Sequence, residues 1–146
     1  MSSDLDIVAL EKWAAGYIPG FSGPLTAEKF PGGQSNPTYK LTTNSGRYVL
    51  RRKPFGDLLP SAHAVDREFR LLSALYPTGF PVPHPIGLCE DDTVIGSMFY
   101  VMEMMEGRTF WRGILPDQIP ADRGPIYRDM IFTLARLHCI DHEGVG

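Results

Sequence analysis

Gly32-Gly33-Gln34-Ser35-Asn36 is a stretch whose residue types could hold an anion: adjacent glycines bring backbone amides close to a ligand, and Ser and Asn add short polar side chains. Pro37 to Leu41 follow, and across the turn Asn44-Ser45-Gly46 runs Tyr48-Val49-Leu50-Arg51-Arg52-Lys53, a strand that carries cations. An ordinary hairpin also uses paired glycines, so the loop takes its meaning from its neighbours. Strand alternation sends Val49 and Arg51 to one face and Tyr48, Leu50 and Arg52 to the other. Downstream, Glu68 sits three residues after Val65 and four before Leu72, at the margin of an apolar helical stripe. A carboxylate there costs free energy unless it is paired, and Arg51 is the cation on the right face. The residues leave a second position open, in which Glu68 stands at the rim and meets water.

The elements that must position these groups follow from periodicity and turn chemistry. Leu5, Val8, Ala9 and Trp13 recur at helical spacing until Pro19-Gly20 stops the pattern. Leu25 to Phe30, Thr38 to Thr43 and Arg47 to Arg52 read as an antiparallel meander of three strands. Lys53-Pro54-Phe55-Gly56 breaks the sheet, and Pro60-Ser61 opens a helix to about Leu75, with Ser61 as its N-cap. The stripe of that helix is Val65, Phe69, Leu72 and Tyr76, widened by Leu71 and Leu75. Four prolines between Pro77 and Pro85 predict an irregular connection. Ile86 to Glu90 and Met98 to Met105 are two further strands, the second apolar enough to be covered on both faces. After a loop with Pro116 and Pro120, Ile126, Met130, Leu134 and Leu137 predict a helix over Ala121 to Leu137.

A chain of 146 residues, 43% of them hydrophobic, suffices for one domain with a real core. The net charge of -3 provides no basic field for nucleic acid. Cys89 and Cys139 are far apart and outside any CxxC pattern, which predicts reduced, buried thiols in a cytoplasmic protein. Met1 to Leu10 do not form a secretory signal, and no apolar run approaches the ~18 residues of a membrane span. His138 and His142 stand four apart beside Glu143, but no Glu follows His138 as in His-Glu-x-x-His, so no metal site is assigned. His63 and His84 read as capping and loop residues, and Asp91-Asp92 as a solvated turn.

In collinear order, Gly-Gly-Gln-Ser-Asn-Pro-Thr-Tyr (32–39), Tyr-Val-Leu-Arg-Arg-Lys-Pro (48–54), Leu-Leu-Pro-Ser-Ala-His-Ala-Val-Asp-Arg-Glu (58–68), Val-Pro-His-Pro (82–85) and Phe-Tyr-Val-Met-Glu-Met-Met-Glu-Gly (99–107) resemble the kinase-like fold. The resemblance is to the aminoglycoside phosphotransferase and choline kinase superfamily, in particular the phosphotransferase domains related to those of certain acyl-CoA dehydrogenases. It covers about Phe30 to Leu137-His138. The fold it implies is α+β: a kinase-like N-terminal lobe, a five-stranded antiparallel sheet with one packed helix, plus the first helix of the C-terminal lobe. Residues 1–105 would be the N-lobe with its leading helix, and 106–146 the connector and the start of a truncated C-lobe.

The function implied is the nucleotide-binding part of an ATP-dependent phosphotransferase acting on a small-molecule hydroxyl. Gly33, Gln34, Ser35 and Asn36 match the loop over the nucleotide phosphates. Arg51 stands where protein kinases carry the lysine that pairs the phosphates with the helix glutamate, here Glu68. Arginine keeps the charge and grips bidentately, with a bulkier fork. Val49 would pack on the adenine ring, and the connector Met102 to Met105 would meet its edge, through Glu103 and Met105. The methionine side chains themselves read as core. Trp111, after the connector, would touch a substrate or pack the lobe junction, and packing is the reading taken. The Mg²⁺ ligands and the His-Gly-Asp catalytic loop of the family are expected in the second lobe, past Gly146, so this chain is read as an inactive fragment with no catalytic residue of its own. The acceptor would be a small alcohol such as a hydroxylated acyl thioester, and an exposed lobe junction would let two copies pair. The alternative is a non-catalytic kinase-like module that binds a nucleotide or a protein.

Overall fold

Short β-prone segments bounded by turn residues pair into one antiparallel sheet in the structure, a computed structural model that describes residues 5–31, 35–56 and 63–144. The predicted meander is β1 (Thr26–Lys29), β2 (Thr38–Thr43) and β3 (Gly46–Arg52). Further along the chain come β4 (Pro85–Cys89) and β5 (Phe99–Glu103), and the spatial order is β1-β2-β3-β5-β4. β5 therefore lies beside β3, with Val49 opposite Met102, Leu50 opposite Val101, Arg51 opposite Tyr100 and Arg52 opposite Phe99. Opposed residues share a face, so Val49, Arg51, Tyr100 and Met102 form two neighbouring rungs on one side.

The other side is the dry core. Tyr39, Leu41, Leu50, Phe99 and Val101 are buried there against Leu10 and Ala14 of α1 (Ile7–Tyr17). Asp6 caps this helix by accepting a hydrogen bond from the Ala9 amide at 3.0 Å. The face differs from the expected one, since Val8 is 82% exposed while Leu10 and Ala14 are buried. Trp13 explains the choice: it stacks on Tyr17 at 4.4 Å and meets the Phe99 ring edge-on at 4.8 Å. A Cβ on Gly87 of β4 would stand 2.8 Å from Tyr17 and 3.1 Å from Trp13, so glycine is what lets these rings lie on the strand. The sheet is thus covered by a helix on each face, the expected leading helix on one and the expected packed helix on the other.

Arg52 belongs to the core side and is 3% exposed. Its guanidinium lies 3.9 Å from the Phe55 ring centroid and donates to the Lys53 carbonyl and the Tyr39 hydroxyl. Aromatic faces and neutral oxygens, rather than a carboxylate, accommodate this cation among the described residues.

On the opposite face lies α2 (Val65–Leu75). Val65 and Leu75 are buried, and Phe69 meets Tyr100 at 5.9 Å between ring centroids. Leu71 and Tyr76 are exposed, so the buried stripe is narrower than the one read from spacing. The N-cap is Ala64, which supplies no side-chain hydrogen bond; Ser61 lies outside the described residues. Asp66 and Glu68 in the first turn place negative charge at the positive end of the helix dipole. Tyr76–Thr78 adds a single 3₁₀ turn to the proline-rich connection, where the Tyr76 ring stacks on His84 at 4.5 Å.

The last helix, α3 (Pro120–His138), forms where predicted, with Pro120 at its first position. No residue of it is buried: Met130, Leu134 and Leu137 are exposed and Ile126 is half-buried. The spacing thus specified a helix whose apolar stripe is left largely exposed among the described residues. Cys139 caps its end and is exposed, contrary to the expectation of two buried thiols, while Cys89 at the end of β4 is buried. His142 lies past the helix end, so the i, i+4 geometry with His138 does not form. Trp111 is 84% exposed and packs no junction among the described residues. No described helix is long and apolar enough to cross a membrane.

Candidate functional site

Glu68 sits at the centre of a polar network on the α2 side of the sheet. Its Oε2 lies 2.8 Å from Arg51 Nε, and its Oε1 accepts from Arg51 Nη2 at 3.4 Å. The Nε atom is buried and meets the carboxylate off the hydrogen-bond direction, so this closer contact is mainly Coulombic. Oε1 also accepts from Asn36 Nδ2 at 3.1 Å, and Oε2 from the Tyr100 hydroxyl at 3.1 Å. The pair is neither buried nor free, with side chains 35% and 36% exposed. Both positions left open for Glu68 are therefore partly right.

Asn36 joins the loop to the helix. A carboxylate only accepts, so the Asn36 amide nitrogen must face Glu68, which turns its Oδ1 toward His63. His63 Nδ1 lies 2.9 Å from that oxygen and must therefore carry the hydrogen. His63 holds a left-handed backbone angle, φ 57°, in the turn that leads into α2. Asn36 is itself buried, and its carbonyl accepts from Thr38 Oγ1 at 3.0 Å. The phenol of Tyr100 is raised well above its ordinary range, first by burial and then by the charge of Glu68. Tyr100 consequently stays a donor at neutral pH, as its bond to Glu68 requires.

An open cavity of about 620 Å³ is lined by Ser35, Asn36, Arg51, His63, Arg67 and Glu68. Of the residues expected to bind a nucleotide, the structure thus brings together Ser35, Asn36, Arg51 and Glu68. Gly33 and Gln34 lie outside the described residues. Val49 shares the face of Arg51 one rung away, opposite Met102, and is buried. Glu103 ends β5, where its amide donates to the His84 carbonyl at 2.9 Å. Met105 lies past the strand and is exposed, and next to it Glu106 is tied to Arg47 of β3 at 2.6 Å. Val49, Glu103 and Met105 do not line the cavity: Val49 lies on β3, Glu103 at the end of β5 and Met105 beyond it. Sequence reasoning missed His63 and Tyr100 as parts of the network. The signal for Tyr100 was its pairing opposite Arg51, which only the strand order reveals.

Among the described residues no group of three or more His, Cys, Asp or Glu side chains is placed to hold a metal ion.

A five-stranded antiparallel sheet whose third strand presents a cation to a helix glutamate is a kinase-like N-lobe. Residues 26–146 match the phosphotransferase enzyme family, and the chain belongs to it. It is 45% identical to acyl-CoA dehydrogenase family member 11 of Rattus norvegicus over 97% of this chain and 19% of that protein. It is 46% identical to acyl-CoA dehydrogenase family member 10 of Mus musculus, over 94% of this chain and 13% of that protein. The chain thus spans less than a fifth of these relatives. A crystal structure from Ralstonia eutropha JMP134, described as that of "a putative aminoglycoside phosphotransferase", superposes with a TM-score of 0.81 at 43% identity, covering 97% of this chain and 40% of that one.

Proposed function

We propose that this chain is the nucleotide-binding portion of an ATP-dependent phosphotransferase that acts on a small-molecule hydroxyl. The observation that carries the reading is Arg51, fixed by Glu68 at the wall of an open cavity that Ser35 and Asn36 also line. The cavity volume of about 620 Å³ falls within the ~300–1,000 Å³ of small-molecule sites. Glu68 engages Nε and Nη2 of Arg51, and no hydrogen bond uses Nη1 among the described residues, so the guanidinium keeps donors for a phosphate oxygen. When bound, ATP supplies the transferable phosphoryl group. What the residues of this chain do is hold it: Arg51 neutralises phosphate charge, Glu68 and Tyr100 stop the guanidinium from swinging away, and Asn36 keeps the loop against α2.

In this reading Val49 and the connector bearing Glu103 and Met105 receive the adenine, and the lobe boundary falls after residue 105, where the sheet has ended at Glu103. No catalytic base and no magnesium ligand is assigned to this chain. The test is isothermal titration calorimetry with Mg-ATP. Saturable binding that Arg51→Ala weakens supports the reading; no binding at millimolar Mg-ATP by a folded sample contradicts it.

A further inference from the structure

Between β5 and α3 the chain builds a second cavity, of about 380 Å³, lined by Arg108, Phe110, Trp111, Arg112, Leu115 and Asp117 among others. The segment around it is tied down from several directions. Arg108 Nη1 donates to Gln118 Oε1 at 3.0 Å, the Gln118 carbonyl accepts from Arg123 Nε at 3.1 Å, and the Tyr127 hydroxyl donates to the Gly113 carbonyl. Leu115 holds φ 49°, a conformation unfavourable for a side chain of its bulk, yet it is 5% exposed. Such a residue persists only where its surroundings over-determine it. The same segment places the Phe110 and Trp111 rings at the wall of the cavity.

The charge is lopsided. Arg108 is hydrogen-bonded to a neutral amide and stacked 5.3 Å from the Phe110 centroid, and neither Arg108 nor Arg112 forms an ion pair among the described residues. Asp117 reduces the positive excess without cancelling it.

We propose that this cavity binds an anionic small molecule with a flat apolar body, its carboxylate or phosphate drawn to Arg112 and its body against Phe110 and Trp111. Guanidinium and aromatic groups together suit such a ligand, because the charge fixes orientation and the rings supply contact area. Since the segment follows directly on the connector proposed to meet adenine, the ligand is the acceptor or part of it, an assignment that rests on the phosphotransferase reading.

The experiment titrates the chain with phenyl phosphate and, in parallel, with benzyl alcohol and benzylamine, following tryptophan fluorescence and calorimetry. Phenyl phosphate should give a saturable fluorescence change that Trp111→Phe removes, Trp13 being packed on Tyr17. Arg112→Ala should raise its Kd at least tenfold, and Arg51→Ala should leave it unchanged. Equal binding of benzyl alcohol, or no effect of Arg112→Ala, overturns the proposal. So does loss of binding in Arg51→Ala, which would place the anion in the Glu68 cavity and favour the nucleotide reading instead. Arg112-dependent binding of phenyl phosphate without any binding of Mg-ATP keeps the site and removes its description as an acceptor site.

Discussion

Arg51 Nε stands 2.8 Å from Glu68 Oε2, and the side chains of the pair are 35% and 36% exposed, enough for water to screen them. Ion pairs open to water contribute ~0–1 kcal/mol to folding. Stability alone therefore does not account for an arrangement in which Asn36, Tyr100 and Arg51 all converge on one carboxylate. In the proposed nucleotide site these contacts serve positioning, because each removes a direction in which the guanidinium could drift.

Arg51→Ala should accordingly separate binding from stability. We expect the unfolding free energy to fall by less than ~1 kcal/mol, while the Kd for Mg-ATP rises tenfold or more, which is about 1.4 kcal/mol. Arg51→Lys should recover part of the affinity, since charge is kept and the second nitrogen contact to Glu68 is lost. Urea unfolding and calorimetry on the same samples check both quantities.

Tyr100→Phe removes the hydroxyl that donates to Glu68 at 3.1 Å, and the expected loss is about 1 kcal/mol, reduced from the usual value for a charged acceptor by the exposure of Glu68. The pH dependence has a definite sign. Burial and Glu68 raise the folded phenol above the ordinary ~10 of an unfolded tyrosine, so its contribution is complete below that pH and is lost as pH rises from there toward the folded value. Stability of the wild type against alkali should decline over that range, and this part of the decline should vanish in Tyr100→Phe.

How much of this was legible in the sequence follows from what each signal measures. Alternation along β3 correctly put Val49 with Arg51 and Leu50 with Arg52, because successive side chains of a strand point to opposite faces and a period of two admits no intermediate choice. The spacing of α2 placed Glu68 correctly beside the face that carries Arg51. Strand order is not a local property: β5 inserts beside β3 from about 50 residues downstream, so the partnership of Tyr100 with Glu68 could not be read from either segment alone. His63 reads as a cap because nothing in its neighbourhood announces Asn36, which is 27 residues away in sequence and 2.9 Å away in space. Periodicity also says which residues share a helix face, but not whether that face has a partner. On α1 the rings of Trp13 and Tyr17 chose a face without Val8, and on α3 the stripe of Met130, Leu134 and Leu137 remained exposed.

Gly87→Ala should destabilise the fold by about 1–3 kcal/mol, because the added methyl meets the rings of Tyr17 and Trp13, which are stacked on each other and cannot both retreat. Gly107→Ala is the control: a methyl group there would find nothing within 4 Å, and the expected change is within about 0.5 kcal/mol. Thermal or urea unfolding distinguishes the two.

The two thiols should react at different rates. Burial raises the Cys89 thiol above its ordinary range and shields it, whereas Cys139 is exposed at the end of α3. N-ethylmaleimide should modify Cys139 first under native conditions, with Cys89 following only on unfolding, as mass spectrometry of digested samples would show. Equal rates would mean that the sheet face over Cys89 is open.

Amide chemical-shift mapping with Mg-ATP tests the nucleotide assignment most directly. The account predicts saturable shifts at Ser35, Asn36, Arg51 and Glu68, extending along β3 to Val49 and to Glu103 and Met105, and much reduced in Arg51→Ala. Shifts that never saturate at millimolar Mg-ATP, or that fall elsewhere and survive Arg51→Ala, would contradict it.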